Sequence, residues 1–337
     1  MGPFEAATQI EKLDSHTYAG SFSQDFCIGS VPNGGYVATH FLSIARIHMT
    51  ARNQPHTLTA HWEFLARSAV GRCVFVVEDV KLGRQTSVLH IRLYQSPDGY
   101  PSAALPDHMP WVASSLVKKP IATAYVTQTN FATERGITLD TGYELHPPVP
   151  PVNLSRLLPE KGEPEDEHWM PMPIPDTAFK KIRNLSNCMY FVPRRGQPRK
   201  GTVDMWLRLP NNEKFTPDRL GYVIDAWPTV VESYRPSPPA PGDETVSDED
   251  KHLTPFPWDQ VFWYPTVVMN LEVKKALAEE GEEWLFMRSA ARQIRNGRLD
   301  LQVLVYDRHG DLVALSSHVN LVLGAERNVA GRAKSLL

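Results

Sequence analysis

One order of segments occurs twice along this chain, and that repetition limits the folds open to it. Residues 35–49 carry Val37, Phe41, Ile44, Ala45 and His48 at helical spacing, with Ala38, Leu42 and Met49 widening the apolar stripe. Three segments follow, "TLTAHWEFLARS" (57–68), "RCVFVVEDVKL" (72–82) and "TSVLHIRLYQ" (86–95). Each is rich in β-branched and aromatic residues, and glycine-bearing turns separate them, as expected for successive strands. Later, "TVDMWLRL" (202–209) reads as a strand. Thr216-Pro217-Asp218 then supplies an N-cap, a proline at the first helical position and an acid in the first turn. The helix it opens has the stripe Leu220, Val223, Ile224, Trp227 and Val231, and strands are expected at 264–273, 284–293, 299–306 and 312–322. "RLYQSPDGYPSAA" (92–104) can be laid over "LVYDRHGDLVALS" (304–316), both being strand, polar turn with glycine, strand. A unit of this size cannot cover both faces of its helix, so the two units are expected to pack together. The expected fold is α+β, with units at 1–125 and 185–328 and one antiparallel sheet around two long central helices.

Proline punctuates this pattern. "HPPVPP" (146–151) and "PEKGEPEDEHWMPMPIPD" (159–176) mark residues 126–184 as an extended connector. "RPSPPAPGDETVSDEDKH" (235–252) reads as an exposed, mobile loop within an insertion at 235–257.

Composition excludes several classes of function. Hydrophobic residues make up 42% of the 337 and charged residues 22%, which is a globular balance. A net charge of −3 gives nucleic acid or an anionic membrane no reason to bind. Cys27, Cys73 and Cys188 are odd in number and far apart, so no disulfide framework or metal spacing follows; a reducing compartment, the cytoplasm, is expected. The N-terminus has no secretory pattern, and no apolar run reaches the ~18 residues of a membrane span. There is no Gly-x-Ser-x-Gly elbow and no Walker or dinucleotide fingerprint. His56 and His61, near Trp62, could pair on a metal, but a polar strand edge is the simpler reading.

"SVPNGGYVATHF" (30–41) places Asn33, Gly34 and Gly35 at the start of the first helix. Glycine is a poor helix former but lets other atoms approach the backbone closely. One reading is an Asn33 N-cap with a tight turn. The other is a site for an oxygen that carries or gains negative charge.

The helix start "NGGY", "HTLTAHWEFLARSAVGR" and "QTSVLHIRLYQ" in the first half, with "LGYVIDAW", "PTVVMNLEV" and "GRLDLQVLVYDRHGDLVALSSHV" in the second, together resemble the double-hotdog acyl-CoA thioesterases. The likeness is to the acyl-CoA thioesterase II type and the broader thioesterase-like superfamily, and it covers nearly the whole chain apart from the connectors. It implies hydrolysis of acyl-CoA or carrier-bound acyl thioesters by water, without metal or organic cofactor, in a monomer or homodimer. It also implies that a helix Asp, a strand Thr and a Gln of the final strand orient that water. The Asp matches Asp225 and the Thr matches Thr266, while the Gln position falls on His318, a departure. A His can hold a water and take up a proton near neutral pH. In hotdog enzymes the N–H groups at the helix start, here with Asn33, Gly34 and Gly35, face the thioester carbonyl. No Asp or Glu lies between Gly34 and Met49, so one competent site is expected, in the second half. The departure at His318 and the proline-rich insertions leave two alternatives. One is a hotdog enzyme recruited to a biosynthetic pathway for cyclisation, isomerisation or elimination; the other is a non-catalytic acyl-ligand binder. By alternation, Thr266, Val268, Asn270 and Glu272 should share one face of their strand. His318, Ser316 and Asn320 should form a polar face opposite a core-facing set of Val313, Leu315, Val319 and Leu321.

Overall fold

The computed structural model describes residues 2–95, 119–139, 142–174, 176–235, 256 and 260–325. The expected loop at 235–252, apart from Arg235, and most of the turn after Gln95 lie outside the described residues. The first half contains β1 (Thr17–Phe22), α1 (Gly34–Met49), β2 (His56–Phe64), β3 (Gly71–Lys81), β4 (Ser87–Tyr94) and β5 (Ala122–Thr129). Next come β6 (Trp169–Pro171), β7 (Met189–Pro193), β8 (Thr202–Arg208) and α2 (Leu220–Ile224). The chain continues with β9 (Thr266–Val273), β10 (Trp284–Ala290), β11 (Arg298–Asp307) and β12 (Leu312–Leu321).

These strands form one sheet in the order β1-β3-β4-β5-β2-β9-β12-β11-β10-β8-β7-β6. The first half's order, 1-3-4-5-2, returns in the second as 8-10-11-12-9. The halves join where β2 pairs antiparallel with β9, so the seam runs between equivalent strands. The duplication seen in the sequence is therefore a duplication of topology, in one continuous antiparallel sheet.

α1 forms as its sequence dictates. Asn33 caps it, its Oδ1 accepting the Tyr36 N–H at 2.9 Å, and Arg46 and His48 occupy the last turn, where positive charge suits the dipole. Its apolar stripe is so broad that Tyr36, Val37, Phe41, Leu42 and Ile44 are all buried.

The second long helix, expected from Thr216 to Val231, does not form. A single 3₁₀ turn (Pro217–Arg219) leads into α2, which stops at Ile224; Val230–Tyr234 is again 3₁₀. Pro228 accounts for the break. A continued helix would drive its ring into the Ile224 carbonyl four residues back, and the residue before a proline, Trp227, is steered away from helical angles.

Where α1 meets α2 the backbones touch. A Cβ on Gly35 would lie 2.6 Å from the Gly221 carbonyl oxygen and 2.8 Å from Asp225 Cβ. A Cβ on Gly221 would lie 2.7 Å from the Thr39 nitrogen and 2.9 Å from the Ala38 carbonyl carbon. Both glycines are needed for this approach rather than for their own backbone angles.

The proline-rich connector is mostly extended among its described residues, with the short helices Leu154–Leu157 and Asp176–Lys181, a 3₁₀ turn at Phe131–Thr133 and the edge strand β6, and it does not hang free. Leu157 and Trp169 are buried in a second apolar cluster with Phe191, Trp206, Trp284 and Phe286 from the sheet. Arg288 holds Asp204 through two bonds of 2.6 and 2.7 Å and donates a third, at 2.8 Å, to the Pro147 carbonyl. The connector thus straps the face of the second half's sheet that points away from the helices.

Gly221→Ala is expected to destabilise the protein by about 1–3 kcal/mol, because a methyl group has only backbone to displace. Gly136→Ala, where a Cβ meets nothing within 4 Å, should change little. Denaturant unfolding of the two variants checks this.

Candidate active site

Asp225 is the residue just past the end of α2, with φ −114° and ψ 15°. A carboxylate there sits at the negative pole of its own helix, which is unfavourable. The helix crossing aims it at the positive pole of another. Asp225 Oδ2 accepts the Gly35 N–H at 2.8 Å and the Asn33 Nδ2 at 3.2 Å. Asp225 Oδ1 accepts the Thr266 hydroxyl at 3.0 Å. A Cβ on Gly34 would come within 2.9 Å of Oδ2, so the first glycine makes room for the carboxylate itself. Asn33 is therefore the cap, and the Gly35 N–H, which the resemblance aimed at a substrate carbonyl, is taken up by an oxygen of the chain itself, Asp225 Oδ2.

Thr266 reaches this point through a β-bulge. Alternation would place it with Val268, Asn270 and Glu272, the outer face. The register of β9 against β12 slips between Thr266 and Val268, so Val267 is inserted and Thr266 turns inward. Bulges re-aim side chains in this way.

Val313 is buried in the core as expected, but from Leu315 to Leu321 the faces of β12 are the reverse of those expected. Ser316, His318 and Asn320 are buried against the helices, while Val319 is 38% exposed on the outer face. The polar set lines the interior because it completes a hydrogen-bonded network there. His318 Nε2 lies 2.8 Å from Ser316 Oγ, and Ser316 Oγ donates to the Asn270 carbonyl at 2.5 Å. With the serine proton so committed, the imidazole proton belongs on Nε2. His318 Nδ1 then presents a lone pair 3.7 Å from Asp225 Oδ1 and has no hydrogen-bonding partner among protein groups.

Asn320 is the residue that motif matching overlooked. Its Nδ2 donates to Thr266 Oγ1 at 2.8 Å, which extends the network to Asp225. The resemblance calls for a carboxamide on this strand, and one is present two residues beyond the aligned position. Its shared face with His318 was the available signal.

Electrostatics divide the labour in this cluster. Burial pushes the Asp225 carboxyl up to about 6, against the opposing pull of the bonds from Thr266, Gly35 and Asn33. Burial also pushes the His318 imidazole down to about 3. Near pH 7 the pair holds one charge, on Asp225, and His318 is neutral. The proton uptake near neutral pH expected of His318 is thus opposed by its desolvation.

Asn33, Gly34, Asp225 and Thr266 border a cavity of ≈ 340 Å³ whose apolar walls include Phe64 and Trp263. His318 and Asn320 stand behind Asp225 and Thr266.

The first half repeats part of this arrangement. An equivalent bulge separates Thr57 from Thr59 in β2, and Gln128 Nε2 donates to Thr57 Oγ1 at 2.9 Å, matching the Asn320–Thr266 bond. Aligning Gly35-Tyr36-Val37 with Gly221-Tyr222-Val223 puts Thr39 where Asp225 stands, and the Thr39 hydroxyl donates to the Gly35 carbonyl of its own helix. No carboxylate completes that pair. His56 and His61 do not converge: His61 Nδ1 lies 2.7 Å from Asn270 Oδ1, while His56 accepts the Phe131 N–H.

Comparisons with known proteins agree with this architecture. Models of the acyl-CoA thioesterase N-terminal domain and C-terminal domain match residues 22–128 and 157–322. The chain is 41% identical over 345 residues to the thioesterase-like protein TwmA of Talaromyces wortmannii, covering 98% of this chain and 95% of that one. Among solved structures, a hot dog fold protein of unknown function from Alicyclobacillus acidocaldarius matches with a TM-score of 0.64 at 15% identity, over 96% of this chain and 98% of that one. A putative thioesterase II from Thermobifida fusca gives a TM-score of 0.62 at 18% identity, over the same shares. At such identities the structural likeness shows the hotdog fold alone.

A raised carboxyl pKa has a consequence for stability. The folded value of about 6 exceeds the ordinary carboxylate value of 3.8, so the native state binds the proton more tightly than the unfolded one. Ionised Asp225 therefore costs stability, fully above pH 6 and not at all below about pH 4. Asp225→Asn should gain on the wild type by about 2–3 kcal/mol between pH 4 and pH 7. Unfolding curves at both pH values check the sign.

Proposed function

Because the chain belongs to the acyl-CoA thioesterase family, with both of that family's domains in one polypeptide, we propose that it hydrolyses acyl thioesters at Asp225. The supporting observation is a buried carboxylate, held on both oxygens by donors from the two halves and bordering a cavity with apolar walls. Asp225 Oδ1 and His318 Nδ1 are two acceptors 3.7 Å apart. A water entering from the cavity past Asp225 Oδ1 reaches His318 Nδ1 only 3.7 Å further back, and when it donates one hydrogen to each it is oriented by both.

In the reaction, the oxygen of that water attacks the thioester carbonyl carbon from the cavity side. Its proton passes to the Asp225 carboxylate, which is ionised above pH about 6. The carbonyl oxygen gains negative charge beside Gly34, at the positive end of α1, where the helix favours an anion. The C–S bond then breaks, the proton on Asp225 goes to the departing sulfur, and a carboxylic acid and a thiol are released. Thr266 and Asn320 hold the Asp225 carboxylate in line. His318 contributes a fixed acceptor; held neutral and weakly basic by burial, it is poorly suited to proton transfer. That property argues against the recruited non-hydrolytic chemistry, which the departure at His318 had suggested. The acyl donor is a coenzyme A or carrier-bound thioester, the acyl chain lying along Val37, Phe64 and Trp263.

Thiol release from acyl-CoAs of graded chain length tests the proposal. Turnover should exceed background for at least one, and kcat/KM should fall tenfold per pH unit below about pH 6. Asp225→Asn should lose about 10²–10⁴-fold in kcat. Asn320→Ala and Thr266→Val should each lose less, and His318→Gln should stay within about tenfold, since an amide also offers an acceptor. A folded protein that releases no thiol, or an Asp225→Asn variant as active as the wild type, would overturn the assignment.

A further inference from the structure

Outside the Asp225 site, three side chains from three elements of the first half converge on one point. His16 ends the turn before β1, His48 lies in the last turn of α1, and Asp79 lies on β3. His16 Nε2 is 3.3 Å from Asp79 Oδ2, and His48 Nε2 is 2.9 Å from Asp79 Oδ1. Among the described residues this is the one group of His, Cys, Asp or Glu whose candidate ligand atoms all fall within 4.8 Å of one another.

Several features distinguish the cluster from a chance ion pair. Both imidazoles turn the same nitrogen, Nε2, toward the shared centre. In both, the far nitrogen is already held by a hydroxyl: His16 Nδ1 lies 2.9 Å from Ser15 Oγ, and His48 Nδ1 lies 2.9 Å from Tyr18 Oη. An outer partner of this kind fixes the ring orientation of a metal-bound histidine. The turn carrying His16 is itself pinned, because its backbone N–H donates to Asp14 Oδ1 at 2.8 Å. Bond lengths of ~2.0–2.1 Å around a tetrahedral ion place neighbouring ligand atoms ~3.3 Å apart. The two nitrogen–oxygen separations, one to each oxygen of Asp79, are near that value, and with one oxygen as ligand all three donor atoms lie within 4.8 Å of one another, so a modest contraction seats the ion.

We propose that His16, His48 and Asp79 form a binding site for a divalent transition-metal cation of the zinc class. Two neutral imidazole nitrogens and one carboxylate oxygen suit such an ion and leave a position for water. The side chain of His16 is 46% exposed and that of His48 only 8%, so the ion enters from the His16 side. Bound there, it clasps the start of β1, the end of α1 and β3 together. None of the three residues touches the Asp225 network, so the clasp acts on the stability of the first half and not on the chemistry of the second.

The test uses the full chain, stripped with a chelator and titrated with Zn²⁺ alone. One ion should bind per chain, with a rise in Tm of about 3–5 °C at saturating metal. Co²⁺ should give visible ligand-field absorption. Both signals should be lost in His16→Gln and in His48→Gln and be kept in Asp225→Asn. If His48→Gln fails to fold, His16→Gln decides, because its half-exposed ring can be replaced without opening the core. A folded wild type that takes up no stoichiometric zinc would overturn the proposal. So would uptake that persists unchanged in His16→Gln.

Discussion

Contact between two backbones, at Gly35 and Gly221, governs the rest of this molecule. Without side chains at those positions the first turn of α1 and the body of α2 approach to van der Waals distance. Asp225, just past the end of α2, is thereby delivered to the N-terminus of α1. The carboxylate gains N–H donors and the positive end of a sixteen-residue helix, and is withdrawn from bulk water. Its raised pKa is the balance of those effects, with desolvation prevailing. A side chain at either glycine would separate the helices and with them the halves of the site.

The polar interior around Asp225 is maintained by mutual satisfaction. Ser316, His318, Asn320 and Thr266 form a chain of donors and acceptors that a purely apolar β12 could not supply. Such a network is costly where it is incomplete, because each unpaired buried group keeps its desolvation penalty. Within this cluster two atoms are left unpaired by protein, His318 Nδ1 and Asn320 Oδ1; among the described residues nine other buried polar atoms share that condition, Gln128 Oε1 of the first half among them. Function and stability diverge here: the groups that can orient a water are those whose partners are not all provided by the fold.

The duplication explains why a buried carboxylate stands in one half and not at the equivalent point of the other. Both halves have the same strand order, the same bulge and a Thr–carboxamide pair beside it. They differ at one position of the helix, where Thr39 returns its hydroxyl to its own backbone and Asp225 reaches across to the neighbouring helix. Pro228 reinforces the difference by ending α2 and leaving Asp225 at a helix terminus, whereas α1 runs on from Thr39 to Met49, nearly three turns further.

The sequence by itself determined the α+β class, the repeated strand-helix-strand order, the span of α1 and the identity of Asp225, Thr266 and the Asn33–Gly35 turn. These rest on local periodicity, on capping chemistry and on motif order, all of which are written within short windows. The length of α2 was also written there, in Pro228, but the apolar stripe masked it. Which face of β12 turns inward was not legible, because alternation shows that two faces differ and not which one meets the helices. Thr266 was misplaced by the same rule, since a bulge shifts the alternation by one residue and leaves no mark in composition. The role of Asn320 and the neutral state of His318 belonged to the tertiary structure alone. Both depend on what surrounds a side chain at separations of tens to hundreds of residues, and burial, rather than residue type, set their chemistry.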